Sequence, residues 1–423
     1  MSQSFSARHL LLPLVPLYRL ALSLREFLLL VAPARRLRFP VVSIGNLSTG
    51  GSGKTPLTIA LTRLLVRRGI RVDVLSRGYG RQGQWIDRVD ENGCAEDFGD
   101  EPLLIARATG VPVYVASQRY DAGLQAEADA KAEAEARLPA AQPEPNDSEQ
   151  TASQLMETEI NNENPADQPE TNPASAAPET EGLKTGDMPA ESSIDSPPEQ
   201  APEEESPIPV PSSAAENDAA RKPLHVHLLD DGFQHRQLAR DVNILLLNQR
   251  DWTDRLLPAG NLREPREALT RADVLAIPDN EPELEVALHY WGWNGPVWRL
   301  SRSMELPAVV SPVAAFCGIA HANQFFEGLE DAYLEVALRF TFPDHYPYTM
   351  SVLEELIAEA REKKVTAIIT TEKDLVRMGN LASLFPRSMP LAIARLRVKI
   401  EQQQAAIDWL VNRLSPPPPC PPL

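Results

Sequence analysis

Lys54 and Thr55 close the run Ser48-Thr49-Gly50-Gly51-Ser52-Gly53-Lys54-Thr55, which sits between the apolar segment PVVSIG and the helical pattern LTIALTRLLVRRG. Glycines in such a turn let backbone N–H groups converge on an anion, and the following helix N-terminus adds positive potential. In a G-x-x-x-x-G-K-[ST] loop the lysine meets the β- and γ-phosphates and the hydroxyl ligates Mg²⁺. Those roles fall on Lys54 and Thr55. Ser48 stands where the first glycine of the pattern belongs, which alters the entry to the loop but not its cradle. The competing reading is an ordinary glycine turn.

A phosphate loop needs an acid at the end of a neighbouring strand to hold magnesium. The segment HVHLLDDGFQH, residues 225–235, supplies Asp230 and Asp231 after an apolar run. Ligands of open α/β sheets gather at the carboxyl ends of strands, where these two acids would lie. A plain Asp-Gly turn is one alternative. Another is a hydrolytic metal centre of Asp230, Asp231 and His235 with His225 or His227. The two histidines would point to the strand face opposite Val226, and no complementary ligand cluster stands out elsewhere, which weakens that reading. Two further polar pairs are candidates. Asp100 precedes Glu101-Pro102 and an apolar helical start, so spacing favours a helix N-cap over a catalyst. Asp344 and His345 occupy the proline-bounded FPDHYPYTM; such a pair is commonly structural, although histidine beside a carboxylate suits proton transfer near neutral pH.

The elements that must carry these residues follow from periodicity. Short β-branched runs (PVVSIG, RVDVLSRG, VPVYVA, HVHLLDD, DVNILLLN, ADVLAIP) alternate with helical patterns from residue 40 onward. This predicts an α/β fold, a P-loop-type parallel sheet flanked by helices. After about residue 300 the runs VAAFCGIA, YLEVALRFTF, VTAIITTEKD and LAIARLRVKI predict a smaller C-terminal α/β lobe.

The chain has 423 residues and a formal net charge of −18, but residues 121–220 hold 24 Asp/Glu against 3 Lys/Arg, so the remainder is slightly basic. That stretch has 14 prolines and no aromatic residue. It cannot bury enough apolar area to offset a chain entropy of roughly 1–2 kcal/mol per residue. A disordered acidic insertion at 124–220 is expected, interrupting a crossover helix. The division is then 1–39 N-terminal segment, 40–123 and 221–300 core, 301–414 C-terminal lobe and 415–423 Pro-rich tail. The 3 cysteines show no C-x-x-C spacing, so neither a disulfide framework nor a zinc site is indicated, which fits a reducing compartment. Residues 1–40 hold six arginines and one acid, and their apolar runs are broken by Arg19, Arg25 and Glu26. These runs fall short of the roughly 20 residues that span a bilayer. An amphipathic helix lying on an anionic leaflet is expected, with packing on the protein's own core as the alternative.

Taken together, GNLSTGGSGKTP (45–56), LSRGYG (75–80), GDEP (99–102), DDGFQH (230–235), RLLPAGNLREP (255–265), FCGIA (316–320), FPDHYPY (342–348) and TTEKD (370–374) resemble the tetraacyldisaccharide 4'-kinase family, the lipid A 4'-kinases of Gram-negative bacteria. They occur in the family's order and cover the chain apart from the insertion and tail. The resemblance implies a kinase that transfers the γ-phosphate of ATP, with Mg²⁺, to the 4'-hydroxyl of a tetraacylated disaccharide 1-phosphate, giving lipid IVA at the cytoplasmic face of the inner membrane. A missing first glycine is ordinary in that family. By motif, residues 48–55 would bind the nucleotide. Asp100 and His345 would form the catalytic pair, reversing the cap reading of Asp100. Thr55, Asp230 and Asp231 would serve magnesium, and Arg119, Gln234 and His235 would line the site. The partners implied are the glycolipid and the lipid surface, with no nucleic acid and no obligate protein partner. Tyr346 departs from the Asp-His-His often found there, and the acidic insertion has no counterpart. Two other classes compete: a P-loop ATPase switch acting through protein partners, whose signature lysine would fall at Thr49, and a membrane-tethered scaffold with a vestigial site.

Overall fold

The computed structural model describes residues 7–31, 33–136 and 224–415. A 3₁₀ segment, Ala7–Leu14, leads into α1 (Val15–Val31). Then follow β1 (Val41–Asn46), α2 (Lys54–Arg67), β2 (Arg71–Ser76), β3 (Asp87–Arg88), α3 (Ala95–Phe98), α4 (Asp100–Thr109), β4 (Val113–Val115) and α5 (Arg119–Ala136). The chain resumes with β5 (His225–Asp230), β6 (Val242–Leu246), α6 (Gln249–Thr253), β7 (Val274–Pro278), α7 (Pro282–Trp291) and β8 (Val297–Glu305). Last come β9 (Val313–Cys317), α8 (Ala322–Asp331), β10 (Val336–Thr341), α9 (Met350–Glu362), β11 (Ala367–Thr371), α10 (Glu372–Met378), β12 (Leu391–Ile400) and α11 (Gln403–Leu414).

These strands form a 12-stranded sheet in the order β10-β9-β11-β12-β8-β7-β6-β1-β5-β2-β4-β3. β1 is central, parallel to β5 on one side and β6 on the other. All six of its residues are buried, which is why its sequence, VVSIGN, is small or apolar for most of its length and lacks the polar alternation of a half-exposed strand. Leu57, Leu61 and Leu65, one helical turn apart on α2, pack over Val42 and Ile44 together with Leu103 and Ile105 of α4. Each such leucine contributes about 1.5–3 kcal/mol by leaving water. Because β1, β2, β4 and β5 run parallel, their carboxyl ends emerge at one edge. The helices that return along the sheet, α2 and α4, begin at that same edge.

The expected C-terminal lobe is not separate. β12 pairs in parallel with β11 through residues 391–394, then in antiparallel with β8 through residues 395–400. One strand thus carries the sheet from the second half into the first. α11 goes further: its Ile407, Leu410 and Leu414 share a core with Val42, Ile44 and Leu57. The end of the chain therefore builds the first half of the fold, which strand periodicity has no means to reveal.

The expected spacer is also corrected at its start. Residues 124–136 complete α5, which buries Ala122, Gly123, Ala126 and Ala130 on one side. The spacer begins no earlier than residue 137; its remainder and the Pro-rich tail from 416 lie outside the described residues.

α1 packs on the protein's own core, as the alternative reading held. Val15, Tyr18 and Leu22 pack on the cluster around Leu247, Leu256 and Leu262, and the Tyr18 hydroxyl donates to the Arg263 carbonyl at 2.8 Å. Its other side exposes Leu17, Leu20, Leu24, Phe27 and Leu28. No helix among the described residues is long and apolar enough to cross a membrane.

Candidate active site

The loop after β1 turns through Gly53, whose φ of 90° lies in the left-handed region that glycine adopts freely. Lys54 is thereby the first residue of α2. Its ammonium turns back across the loop, donating to Asn46 Oδ1 at 3.1 Å and standing 3.4 Å from Asp231 Oδ1. The loop is pinned from both sides. The Thr49 N–H donates to the Asn261 carbonyl at 2.8 Å, and buried Ser48 accepts from Asn46 Nδ2 at 3.0 Å. Gly50 and Gly51 are exposed at the loop's crown, whereas Ser52, Lys54 and Thr55 are buried. Two residues absent from the sequence expectation close on it. Arg302 of β8 donates to the Ser52 carbonyl at 2.9 Å, and a Cβ at Gly51 would stand 3.5 Å from the His321 ring.

The paired aspartates take different environments. Asp230 ends β5 fully enclosed, accepting from the Thr58 hydroxyl at 3.1 Å. Burial pushes its carboxyl up to about 7, and repulsion from Glu101 and Asp231 adds to the shift. Asp231 follows in the left-handed region, φ 46°, where the chain leaves the strand. Burial would raise it too, but Lys54 and Arg263 outweigh burial and hold it below the ordinary range. Arg263 Nη1 donates to Asp231 Oδ2 at 3.1 Å, and Arg119 Nη2 reaches the Asp231 carbonyl at 3.4 Å. Gln234 Nε2 donates to the Asn46 carbonyl at 2.8 Å, tying the DDGFQH turn to β1. His235 is pushed down to about 4 by burial and by Arg119 and Arg240, so it is neutral near pH 7.

The second group forms around Asp100. Gly99, φ 89°, precedes α4, and a Cβ there would stand 2.9 Å from the Tyr79 carbonyl oxygen. The GDEP and LSRGYG motifs are therefore in backbone contact. Asp100 makes no side-chain cap: it is the first residue of α4, and its carboxylate turns away from the helix. Asp100 Oδ2 lies 3.0 Å from His345 Nδ1, accepts from Arg377 Nε at 2.8 Å and stands 2.7 Å from Arg377 Nη2. All three contacts fall on Oδ2, and Oδ1 carries none of them. Burial opposes the charge on Asp100, yet the His345 hydrogen bond and Arg377 hold its carboxyl well below the usual range. The same hydrogen bond raises His345. His345 itself has φ 60°, an uncommon conformation for a non-glycine residue that aims its ring back at Asp100.

Arg377, like Arg302 and His321, is a residue that sequence reasoning missed. Beyond Asp100 it reaches Asp344 Oδ1 at 3.5 Å and Asp374 Oδ1 at 3.2 Å, and it donates to the Gly318 carbonyl. Asp374 is in turn held by the Gly318 N–H at 3.0 Å and by the Tyr348 hydroxyl at 2.9 Å. The motifs FCGIA, FPDHYPY and TTEKD thus meet in one network. Arg377 lies three residues past TTEKD, and its position on the helix face of Asp374 was the available signal. Glu101, beside Asp100, links this network to the loop: Lys373 donates to it at 2.7 Å, and Lys54 helps hold it ionised.

Every residue expected from sequence is therefore at or beside this edge, with His225 and His227 the exceptions. They pair with Asp73 at the other end of β5, so the alternative hydrolytic centre is not assembled.

Fold and site together place the chain in the class of α/β proteins that carry a strand–loop–helix turn with a lysine facing carboxylates at the sheet's edge. Within that class the chain belongs to the tetraacyldisaccharide-1-P 4'-kinase family, whose profile matches residues 7–135 and 211–415. A tetraacyldisaccharide 4'-kinase of Koribacter versatilis is 33% identical over 389 residues, covering 89% of this chain and 90% of its own. One of Dechloromonas aromatica is 29% identical over 422 residues, covering 96% and 92%. Among solved structures, LpxK from Aquifex aeolicus in complex with ATP aligns with TM-score 0.59 and 26% identity, covering 96% of this chain and 99% of that one.

Proposed function

We propose that the protein is an ATP-dependent kinase that phosphorylates the 4'-hydroxyl of a tetraacyldisaccharide 1-phosphate in lipid A biosynthesis, and that the edge just described is its active site. Membership in the family carries the activity. The observation that supports the site is the meeting of the Lys54 loop with the Asp100–His345–Arg377 network through Glu101.

In this reading residues 48–55 cradle the triphosphate, with backbone N–H groups and Lys54 countering its charge. Arg302 and His321 close the loop from the other half of the sheet. Magnesium suits the residues present. Glu101, Asp230 and Asp231 crowd together, and repulsion from the other two adds to the burial that raises Asp230 to about 7, a strain that a divalent ion relieves. Asp230, Asp231 and the Thr55 hydroxyl would hold it, directly or through water; when bound it neutralises charge on the phosphoryl oxygens.

Asp100 Oδ1 would accept the hydrogen bond of the sugar hydroxyl while Oδ2 stays fixed by His345 and Arg377. A carboxylate held so acidic is a weak base, so its main contribution is orientation, with the proton leaving late in a loose phosphoryl transfer. Asp100 raises the proton affinity of His345, and His345 with Arg377 holds Oδ2 in place. A substrate with acyl chains stays in a bilayer, so the exposed apolar side of α1 is assigned to docking on the anionic membrane surface from the cytoplasmic side.

Incubation with γ-labelled ATP, Mg²⁺ and the tetraacylated disaccharide 1-phosphate tests the assignment. Label is expected in the lipid. Hydrolysis that needs a protein partner and leaves the lipid unlabelled would return the ATPase-switch reading.

A further inference from the structure

Asp73 of β2 and His225 and His227 of β5 form a second polar cluster, 1%, 6% and 0% exposed. Strand pairing creates it. Positions 225 and 227 share one face of β5, and Asp73 is the register partner of His227. His225 Nε2 lies 2.5 Å from Asp73 Oδ2, and His227 Nδ1 lies 3.5 Å from the same oxygen. The other nitrogen of His227 is 3.6 Å from Glu127 Oε1 on α5. Among the described residues, neither ring nitrogen of His227 has a hydrogen-bond partner.

That arrangement has an electrostatic consequence. A neutral imidazole offers one N–H and one lone pair, whereas an ionised carboxylate only accepts. With a carboxylate oxygen at each nitrogen, one lone pair of neutral His227 must face an anion inside the protein, where screening is weak. A metal ion bound to the ring removes the conflict. Two nitrogens and one carboxylate oxygen, all within 4.8 Å of one another, form a donor set suited to a divalent transition metal. Glu127 behind His227 occupies the place that carboxylates take behind metal-bound histidines. It is itself fixed by the Arg38 and Phe39 N–H groups at 2.5 and 3.1 Å.

We propose that Asp73 Oδ2, His225 Nε2 and His227 Nδ1 bind a zinc-class divalent ion, with Glu127 orienting His227. Tetrahedral ligand atoms about 2.0–2.1 Å from zinc stand about 3.3 Å apart. The His227–Asp73 separation already matches, and the His225–Asp73 contact opens by about 1 Å. The Phe39 ring lies 4.1 Å from the His225 ring and 5.7 Å from that of His227, covering the cluster; with water as the fourth ligand of the tetrahedron, the ion takes a structural role. Its role follows from chain position. α5 and β5 flank residues 137–223, and the ion fastens them: His225 and His227 anchor β5 to β2, and Glu127 brings in α5.

Zinc titration of untagged, chelator-treated full-length protein against a chromophoric competitor, in excess Mg²⁺, tests this. One zinc per chain and a rise in unfolding temperature are expected. Asp73→Asn and His225→Gln should weaken binding at least about 100-fold and abolish the rise, and Glu127→Gln should weaken it about 10-fold. ATP binding, measured in parallel, reports folding of each variant. Should the ligand variants not fold, the wild-type protein decides alone: cobalt added to it gives the intense visible bands of a tetrahedral site, or it does not. No saturable zinc in wild type, or affinity unchanged in folded ligand variants, overturns the proposal.

Discussion

Asp100 and Asp230 are both enclosed carboxylates, yet their surroundings drive them apart. Cationic partners outweigh burial at Asp100 and hold it ionised; burial and two neighbouring acids push Asp230 up to about 7. His345→Ala and Asp100→Asn are each expected to lower turnover by about 100-fold or more, with ATP affinity within about threefold of wild type. Steady-state kinetics beside nucleotide titration separates the two effects. Arg377→Gln removes one partner of an enclosed ion pair, an event that typically costs about 3–5 kcal/mol. Chemical denaturation should register that loss and kinetics a fall in kcat. The pH dependence of stability differs between the two acids. Asp100, depressed on folding, stabilises the fold above its unfolded pKa, and that contribution is lost as pH falls through the folded value. Asp230, raised on folding, keeps its proton longer in the native state. Its contribution therefore falls as pH rises from about 4 towards 7, and the deficit is complete above that. Asp230→Asn should accordingly be more stable than wild type at pH 8 without nucleotide, while catalysing little. Equal stability at pH 8 would contradict the assigned shift.

Helix α1 joins two surfaces. Val15, Tyr18 and Leu22 seat it on the core, and Leu20, Leu24 and Phe27 face outward. Replacing those three by glutamate removes apolar area worth about 1.5–3 kcal/mol per side chain and adds charge that anionic lipid repels. Sedimentation with vesicles containing anionic lipid should fall at least about tenfold, while thermal unfolding, governed by the inward side, stays close to wild type. Unchanged sedimentation would remove α1 from membrane docking. Helix α11 shows the opposite economy: it lies last in the chain but packs against α2 and β6 of the first half. Leu410→Ala is expected to cost about 2–5 kcal/mol and to loosen the loop-bearing half first. Hydrogen exchange resolved by segment would locate the effect.

The described residues on the two sides of the long acidic segment, through Ala136 and from Leu224, belong to one compact unit. Replacing 138–221 by a flexible linker of about 10 residues should keep lipid phosphorylation within about twofold, since loop closure depends only weakly on loop length. The strands of the first half, the glycine turn with Lys54, and the acids ending β5 were legible in sequence because each depends on local pattern: apolar runs, positive-φ glycines and carboxylates at a strand's end. The course of β12 across two sheet halves, the return of α11 and the placement of Arg377 were not. They arise from pairings between residues far apart in the chain, such as Arg377 and Asp100.

From the order of its residues alone, this chain declared an α/β fold, a glycine turn between a strand and a helix and, through its motifs, its family. Asp100 is the clearest limit of such reading. Its spacing marks a helix start, and it does begin α4, but whether its carboxylate caps that helix or meets His345 depends on a loop more than 200 positions away. Local sequence biases backbone torsions over a few residues. The partner of a buried charge is selected by packing of the whole chain, because only there is water excluded and an unpaired ion costly.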